Sequence, residues 1–404
     1  PASPLSDPAE FHQRMARLIA RTQPLIQQAM DQDKLAQMRD MPLDPFNLRE
    51  AGVAYWRYIL NNPDQAIQLG QAYWQDMFSL WQSSTRKFVE GGDNASTHAT
   101  PEASDKRFAD ALWDDNVVFD YIKQSYLLTC NWVEQCIKAA EDEIDSHTIR
   151  KLDFHSKQFL EAVAPNNFAT SNPGILRETA ETGGENLLNG LENLLADIER
   201  GEGELRIAKS DYSAFEIGTN LAATPGKVIY QNDLMQLIQY TPTTGTVYQT
   251  PLVIVPPWIN KYYILDLREK NSLIKWLVDQ GHTVFCISWV NPDEKLARKR
   301  FADYMHEGVI TAMDVAREQT GEDTCNPVGY CIGGTLLATT LAYLSKRDGH
   351  VPVHAATFLT TLIDFTEPGD LGVFIDDEQL EALDSVMDHN GYLPARAIRD
   401  TFSM

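Results

Sequence analysis

The chain has 404 residues and 43% hydrophobic content, enough for two domains with sizeable cores. Its formal net charge of −23 argues against nucleic-acid binding as a main role, and would repel an anionic substrate unless the site is locally basic. Five scattered cysteines without a Cys-x-x-Cys pair suggest neither a disulfide framework nor a zinc site and fit a reducing compartment.

The chain begins at Pro1 rather than Met, which reads as a cut or processed start, and no signal-peptide pattern follows. No apolar run reaches the length of a membrane span. Residues 8 to 90 read as helices. Phe11, Met15, Leu18 and Ile19 keep helical spacing, as do Tyr55, Ile59, Tyr73, Met77, Leu80 and Trp81. Trp56, Trp74 and Trp81 make this region aromatic, as core or as a partner-facing stripe. Gly91 to Ser104 reads as a loop. Helical segments follow over 117–133, 149–163 and 175–199, the last with Asn172-Pro173 as a start signal. The charged, Gly-interrupted run Glu199 to Glu204 marks the boundary between a helical domain, 1–204, and a second domain, 205–404.

Beyond it the pattern changes. Lys227–Tyr230, Met235–Tyr240, Pro251–Val255, Thr283–Ser288, Cys325–Tyr330 and Val353–Leu362 read as strands. Helices are expected over Asp266–Gln280 and Asp303–Gln319. The alternation predicts an α/β fold with a mostly parallel sheet. Ile363 to Met404 is acidic and irregular, and reads as the start of a cap inserted after a sheet strand.

The most informative stretch is Val328-Gly329-Tyr330-Cys331-Ile332-Gly333-Gly334-Thr335. An apolar strand leads in, and a helix with Leu336, Leu337, Leu341 and Leu344 leads out. Gly329 and Gly333 stand two residues either side of Cys331, as in the G-x-S-x-G elbow of α/β-hydrolases, with sulfur in place of oxygen. A nucleophile on a strained strand-to-helix turn needs neighbours without a Cβ, so that two backbones can approach. The helix N-terminus favours a thiolate and, later, an oxyanion. The competing reading of Cys331 is a small buried hydrophobe. An elbow also needs an oxyanion hole. One N–H comes from Ile332 and the second from the loop Pro256-Pro257-Trp258-Ile259. Prolines have no N–H, so that donor is Trp258 or Ile259, unless Trp258 only packs.

Several long stretches make the chain resemble the polyhydroxyalkanoate synthases, most closely the class I, single-subunit type. They are Phe119–Leu128, Phe215–Ala222, Thr224–Gly226, Pro256–Leu267, Gly281–Phe285, Ile287–Asp293 and the box Gly329–Thr335. The resemblance covers nearly everything from about residue 105 onward. It implies an acyltransferase on an α/β-hydrolase-like fold. The enzyme joins (R)-3-hydroxyacyl groups from coenzyme A thioesters into a polyester through a covalent Cys thioester, releasing coenzyme A and using no cofactor and no metal. It further implies a cytoplasmic homodimer at the surface of polyester granules, acting on the growing chain. Of the family's Cys–His–Asp set only Cys331 is carried over. The Asp and His motifs lie farther downstream than Met404. By resemblance the chain is therefore a C-terminally truncated synthase, expected to be inactive by itself.

Of the nine histidines, His350, His354 and His389 follow Cys331 in chain order, as a base must in this fold. His350 and His354 flank the start of the next strand, and His389 lies in a turn-like stretch. Asp293 reads as a turn or helix-cap residue. The basic run Lys295 to Arg300 could meet coenzyme A phosphates or form a solvated helix face. The elbow suits a cysteine hydrolase of the same fold equally well. An inactive fragment that binds a partner or a granule through the aromatic helices is the third reading.

Overall fold

The computed structural model describes residues 8–29, 48–90, 97–201, 203 and 205–394. They fall into two compact units, which divide between Lys209 and Ser210; the later segment Gly369–Gln379 packs with the first.

The first unit is helical. Pro63–Glu90 packs along Val117–Lys138, and Leu80, Phe108, Trp113, Leu127 and Leu128 fill the space near their contact. Asn116 starts the second of these helices by accepting from the N–H groups of Val118 (3.0 Å) and Phe119 (3.4 Å), which would otherwise lack partners. Asn172 does the same for Pro173–Thr182. The helix expected over 175–199 is two helices, Pro173–Thr182 and Glu185–Arg200. Gly183 and Gly184, at φ 63° and 92°, take backbone angles that end one and start the next. Pro8–Ala29 lies against Glu185–Arg200 through Leu18, Leu188 and Leu195, flanked by the pairs Arg14–Glu192 and Arg21–Glu199. Gly369–Gln379 is held to Ser146–Ala162 by a buried ion pair, Lys151–Asp376, and an edge-on contact of Phe154 with Phe374.

The second unit carries a six-stranded sheet. Its strands are β1 (Gly226–Gln231), β2 (Met235–Tyr240), β3 (Tyr248–Val255), β4 (His282–Trp289), β5 (Asn326–Tyr330) and β6 (Thr357–Leu359). Their order is β1-β2-β4-β3-β5-β6. Pairings from β4 through β3 and β5 to β6 are parallel, whereas β1–β2 and β2–β4 are antiparallel. The expected mostly parallel sheet is present, with an antiparallel edge. Val253, Ile254, Val255, Phe285, Cys286 and Ile287 are completely buried, because both faces of the central strands are covered. Thr311–Thr320 and Ile332–Asp348 pack on one face and Leu273–Asp279 on the other.

Several expected elements of the second unit also differ. The helix expected over Asp266–Gln280 starts only at Leu273. Asp266 turns inward, and its carboxylate accepts from the hydroxyls of Thr224 and Ser272, both at 2.6 Å, while Ser272 caps the helix. The helix expected over Asp303–Gln319 contains a π-helical turn, Tyr304–Ile310, before Thr311–Thr320. The strand expected over Val353–Leu362 is reduced to Thr357–Leu359. Val353 makes only an isolated bridge to Cys325, and Thr360, at φ 46°, bends the chain away. Ile363 onward includes a regular helix, Asp377–Asn390; residues from 395 lie outside the described ones.

Candidate active site

β5 ends at Tyr330 and the next helix begins at Ile332, so Cys331 alone makes the turn. Its φ of 53° and ψ of −129° are angles that a side chain with a Cβ rarely adopts; such strain costs on the order of 1–3 kcal/mol and persists only when the surroundings enforce it. Here they do. The Cys331 N–H donates to the Leu359 carbonyl of β6 (3.0 Å), and its own carbonyl accepts from Gly334 (2.8 Å) and Thr335 (3.3 Å). A Cβ on Gly329 would overlap the Gly334 backbone, one on Gly333 the Val255 carbonyl, and one on Gly334 the Thr361 hydroxyl. The glycines expected at the elbow are thus spatial requirements. Sequence reasoning missed the turn after β6 that completes the clamp. There Thr335 donates to the Leu362 carbonyl (2.7 Å) and Thr361 to that of Leu359 (3.1 Å).

Cys331 is exposed, so the alternative of a buried hydrophobic thiol does not describe it. The other cysteines are less accessible. Cys286 and Cys325 are buried, and burial pushes their thiols up, Cys325 to about 12. Burial also raises those of Cys130 and Cys136.

Cys331 N–H is committed to β6, and Gly334 and Thr335 N–H to Cys331. Ile332, the first helical residue, keeps an N–H with no intrahelical acceptor. Facing this turn is the loop after β3. Gly333 lies directly against Val255 and the Pro256 carbonyl, so the loop and the helix N-terminus are in contact. Pro256 and Pro257 are buried and Ile259 is exposed. Trp258 packs against Tyr304 (5.0 Å), Phe301 (6.2 Å) and Trp289 (6.3 Å), so its ring also has a packing role.

The remaining candidates lie apart from this arrangement or are occupied. His354 N–H bonds the Cys325 carbonyl (3.0 Å), at the opposite end of β5 from Cys331 and so roughly 15–20 Å away. His350 is exposed beyond the end of Ile332–Asp348. His389 is exposed in the last turn of Asp377–Asn390, a helix rather than the expected turn. Among the described residues no histidine hydrogen-bonds Cys331. Asp293 caps a short turn by accepting from Lys295 N–H (2.9 Å), as the turn reading expects. Lys299 pairs with Glu307 at 2.5 Å, while Lys295, Arg298 and Arg300 are solvated. Among the described residues no cluster of three or more His, Cys, Asp or Glu could hold a metal, and no helix is long and apolar enough to cross a membrane.

The strand order, the elbow after β5 and the facing loop after β3 make this an α/β-hydrolase-like protein. A family model described as the N-terminus of poly-beta-hydroxybutyrate polymerase (PhaC) matches residues 104–277. A poly(3-hydroxyalkanoate) polymerase of Methylorubrum extorquens is 49% identical over 345 residues, covering 85% of this chain and 56% of the relative. The polymerase subunit PhaC of Rhizobium meliloti is 45% identical, covering 87% and 56%. That of Cupriavidus necator is 38% identical, covering 83% and 55%. The chain is similar to these poly(3-hydroxyalkanoate) polymerases over most of its own length, and it spans just over half the length of these relatives.

Proposed function

We propose that the protein is an acyltransferase that polymerises (R)-3-hydroxyacyl groups from coenzyme A thioesters, with Cys331 as the nucleophile. The observation that carries this is the exposed, strained Cys331 at the tip of a glycine-packed elbow, in a chain similar to poly(3-hydroxyalkanoate) polymerases. The Cys331 sulfur attacks the thioester carbonyl carbon, and the carbonyl electron pair moves to oxygen. The N–H of Ile332 and one from Trp258 or Ile259 stabilise that oxyanion. Its collapse breaks the bond to coenzyme A, which leaves as the thiol with the proton that Cys331 gave up. The acyl group stays on Cys331 until a hydroxyl of the growing chain takes it. A hydroxyl acceptor, rather than water, separates this reading from a cysteine hydrolase, and the family supports it.

The same reading places the protein in the cytoplasm, as a homodimer at the granule surface. Supporting contact with an apolar polyester surface, Trp56, Trp74, Phe78, Trp81 and Phe88 stand exposed on Leu48–Asn61 and Pro63–Glu90. The test is coenzyme A release from (R)-3-hydroxybutyryl-coenzyme A by the chain joined to a family-like C-terminal extension, because the chain by itself is expected not to turn over. Cys331→Ala should abolish it, and Cys331→Ser should be poor, since a hydroxyl needs stronger base assistance. Release that survives in Cys331→Ala would refute the proposal.

A further inference from the structure

We propose that Trp289 is a positioning residue, whose indole N–H sets the loop that supplies the second oxyanion donor. This rests on the reading of Cys331 as the acylated thiol, and it begins with an unusual peptide. The bond between Pro256 and Pro257 carries a carbonyl but no N–H, and both residues are buried. A buried carbonyl needs a donor. Trp289, the last residue of β4, supplies it, with Nε1 2.7 Å from the Pro256 oxygen. Gly333, in the first turn of the helix that follows Cys331, lies against the same peptide. The start of the loop carrying Trp258 and Ile259 is therefore fixed by both the elbow and one indole.

That indole is itself held tightly. Tyr304 lies 5.3 Å from its ring and Trp258 meets it edge-on. Gly308 sits against its far edge, where any Cβ would overlap two ring carbons. Gly308 belongs to the π-helical turn Tyr304–Ile310, and such turns recur at functional sites. Two side chains take up carbonyls of the widened turn: Asn232 donates to Glu307 (2.9 Å) and Thr311 to His306 (2.9 Å). The sequence of contacts runs from the π-helical turn through Gly308 to the Trp289 ring, then to the Pro256 carbonyl and the N–H groups next along the loop. Trp289 touches no reacting atom. It acts by fixing where the donor stands when charge develops on the thioester oxygen.

Two reactions of one sulfur separate this role from plain packing. Acylation by a thioester develops an oxyanion; alkylation by iodoacetamide, a displacement at a CH2 group, develops none at the hole. Trp289→Phe keeps an aromatic ring and removes the N–H. In the full chain, acylation of Cys331 by (R)-3-hydroxybutyryl-coenzyme A should slow about 10- to 100-fold, as expected for a misplaced group. Alkylation should stay within about twofold of the wild type, because it does not use the hole. Gly308→Ala, which displaces the ring, should shift the ratio in the same direction. Chymotryptic cleavage of the loop after Trp258 should quicken in Trp289→Phe while cleavage elsewhere in the sheet unit is unchanged. Unchanged acylation, or equal loss of acylation and alkylation, would overturn the proposal. A wild-type chain that is alkylated but never acylated would count against the reading of Cys331 instead. Cleavage of the loop then decides the role of Trp289 alone, and an unaltered rate overturns it.

Discussion

At the elbow of the sheet unit, Gly329, Gly333 and Gly334 all lie where a Cβ would overlap a neighbour. In the helical unit, Gly52, Gly70 and Gly190 have nothing within 4 Å, while large rings nearby in sequence, Trp56 and Trp74, stand in solvent. Internal packing dictates the residue types at the elbow. It does not dictate them at the exposed positions around Trp56 and Trp74. Besides its apolar clusters, the helical unit takes a few charged side chains out of water, Lys123 and Lys151 among them.

The largest effect expected from this contrast is in one of those charges. Asp376→Ala would leave the buried Lys151 ammonium without its partner. The helical unit should lose about 3–5 kcal/mol, read from its urea midpoint. A loss under about 1 kcal/mol, the level of a surface pair, would break the contrast. Next comes Gly333→Ala, which sets a Cβ against the Val255 and Pro256 backbone. It should destabilise the sheet unit by about 2–3 kcal/mol, because backbone cannot swing aside as a side chain can.

Acid should act more weakly than Asp376→Ala, since a protonated carboxyl can still hydrogen-bond. Burial alone would raise the Asp376 carboxyl, but the Lys151 ammonium and the Gln379 N–H hold it below the usual range. The Arg107 guanidinium lowers Asp105, and the Thr148 N–H lowers Asp145. Folded values below the unfolded one give stability that is complete above the ordinary carboxylate range. It is lost as pH falls below about 4, through the folded values. Helical circular dichroism should decline over that window; a loss centred near neutrality would contradict the assignment. The smallest effect is a gain. Gly70→Ala, in the interior of Pro63–Glu90 with open space around it, should stabilise by about 0.5–1 kcal/mol.

What could be read from the sequence follows the range of the forces involved. The elbow is local: two glycines around Cys331, a strand before and a helix after are all contained in about twenty residues. The buried strands announced themselves as apolar runs for the same reason. The start of Leu273–Asp279 did not, because Asp266 is turned inward by Thr224, 42 residues earlier. β6 ends at Leu359, just before Thr360, whose positive φ no residue type signalled. The break at Gly183-Gly184 was visible as a glycine pair, but helical spacing on both sides masked it. Trp289 stood inside a stretch that resembled the family, yet nothing nearby marked its indole as the donor to a carbonyl 33 residues before it.

The central claim is that Cys331, held in a strained turn and open to solvent, is the sulfur that takes the acyl group. The most direct measurement is rapid quenching after mixing with (R)-3-hydroxybutyryl-coenzyme A, followed by peptide mass spectrometry to locate the acyl group. It should be found on the peptide carrying Cys331, with coenzyme A released in equal amount. Cys130, Cys136, Cys286 and Cys325, whose thiols burial raises, should stay unmodified. An acyl group on any of those four, or coenzyme A release with Cys331 free, would contradict the account.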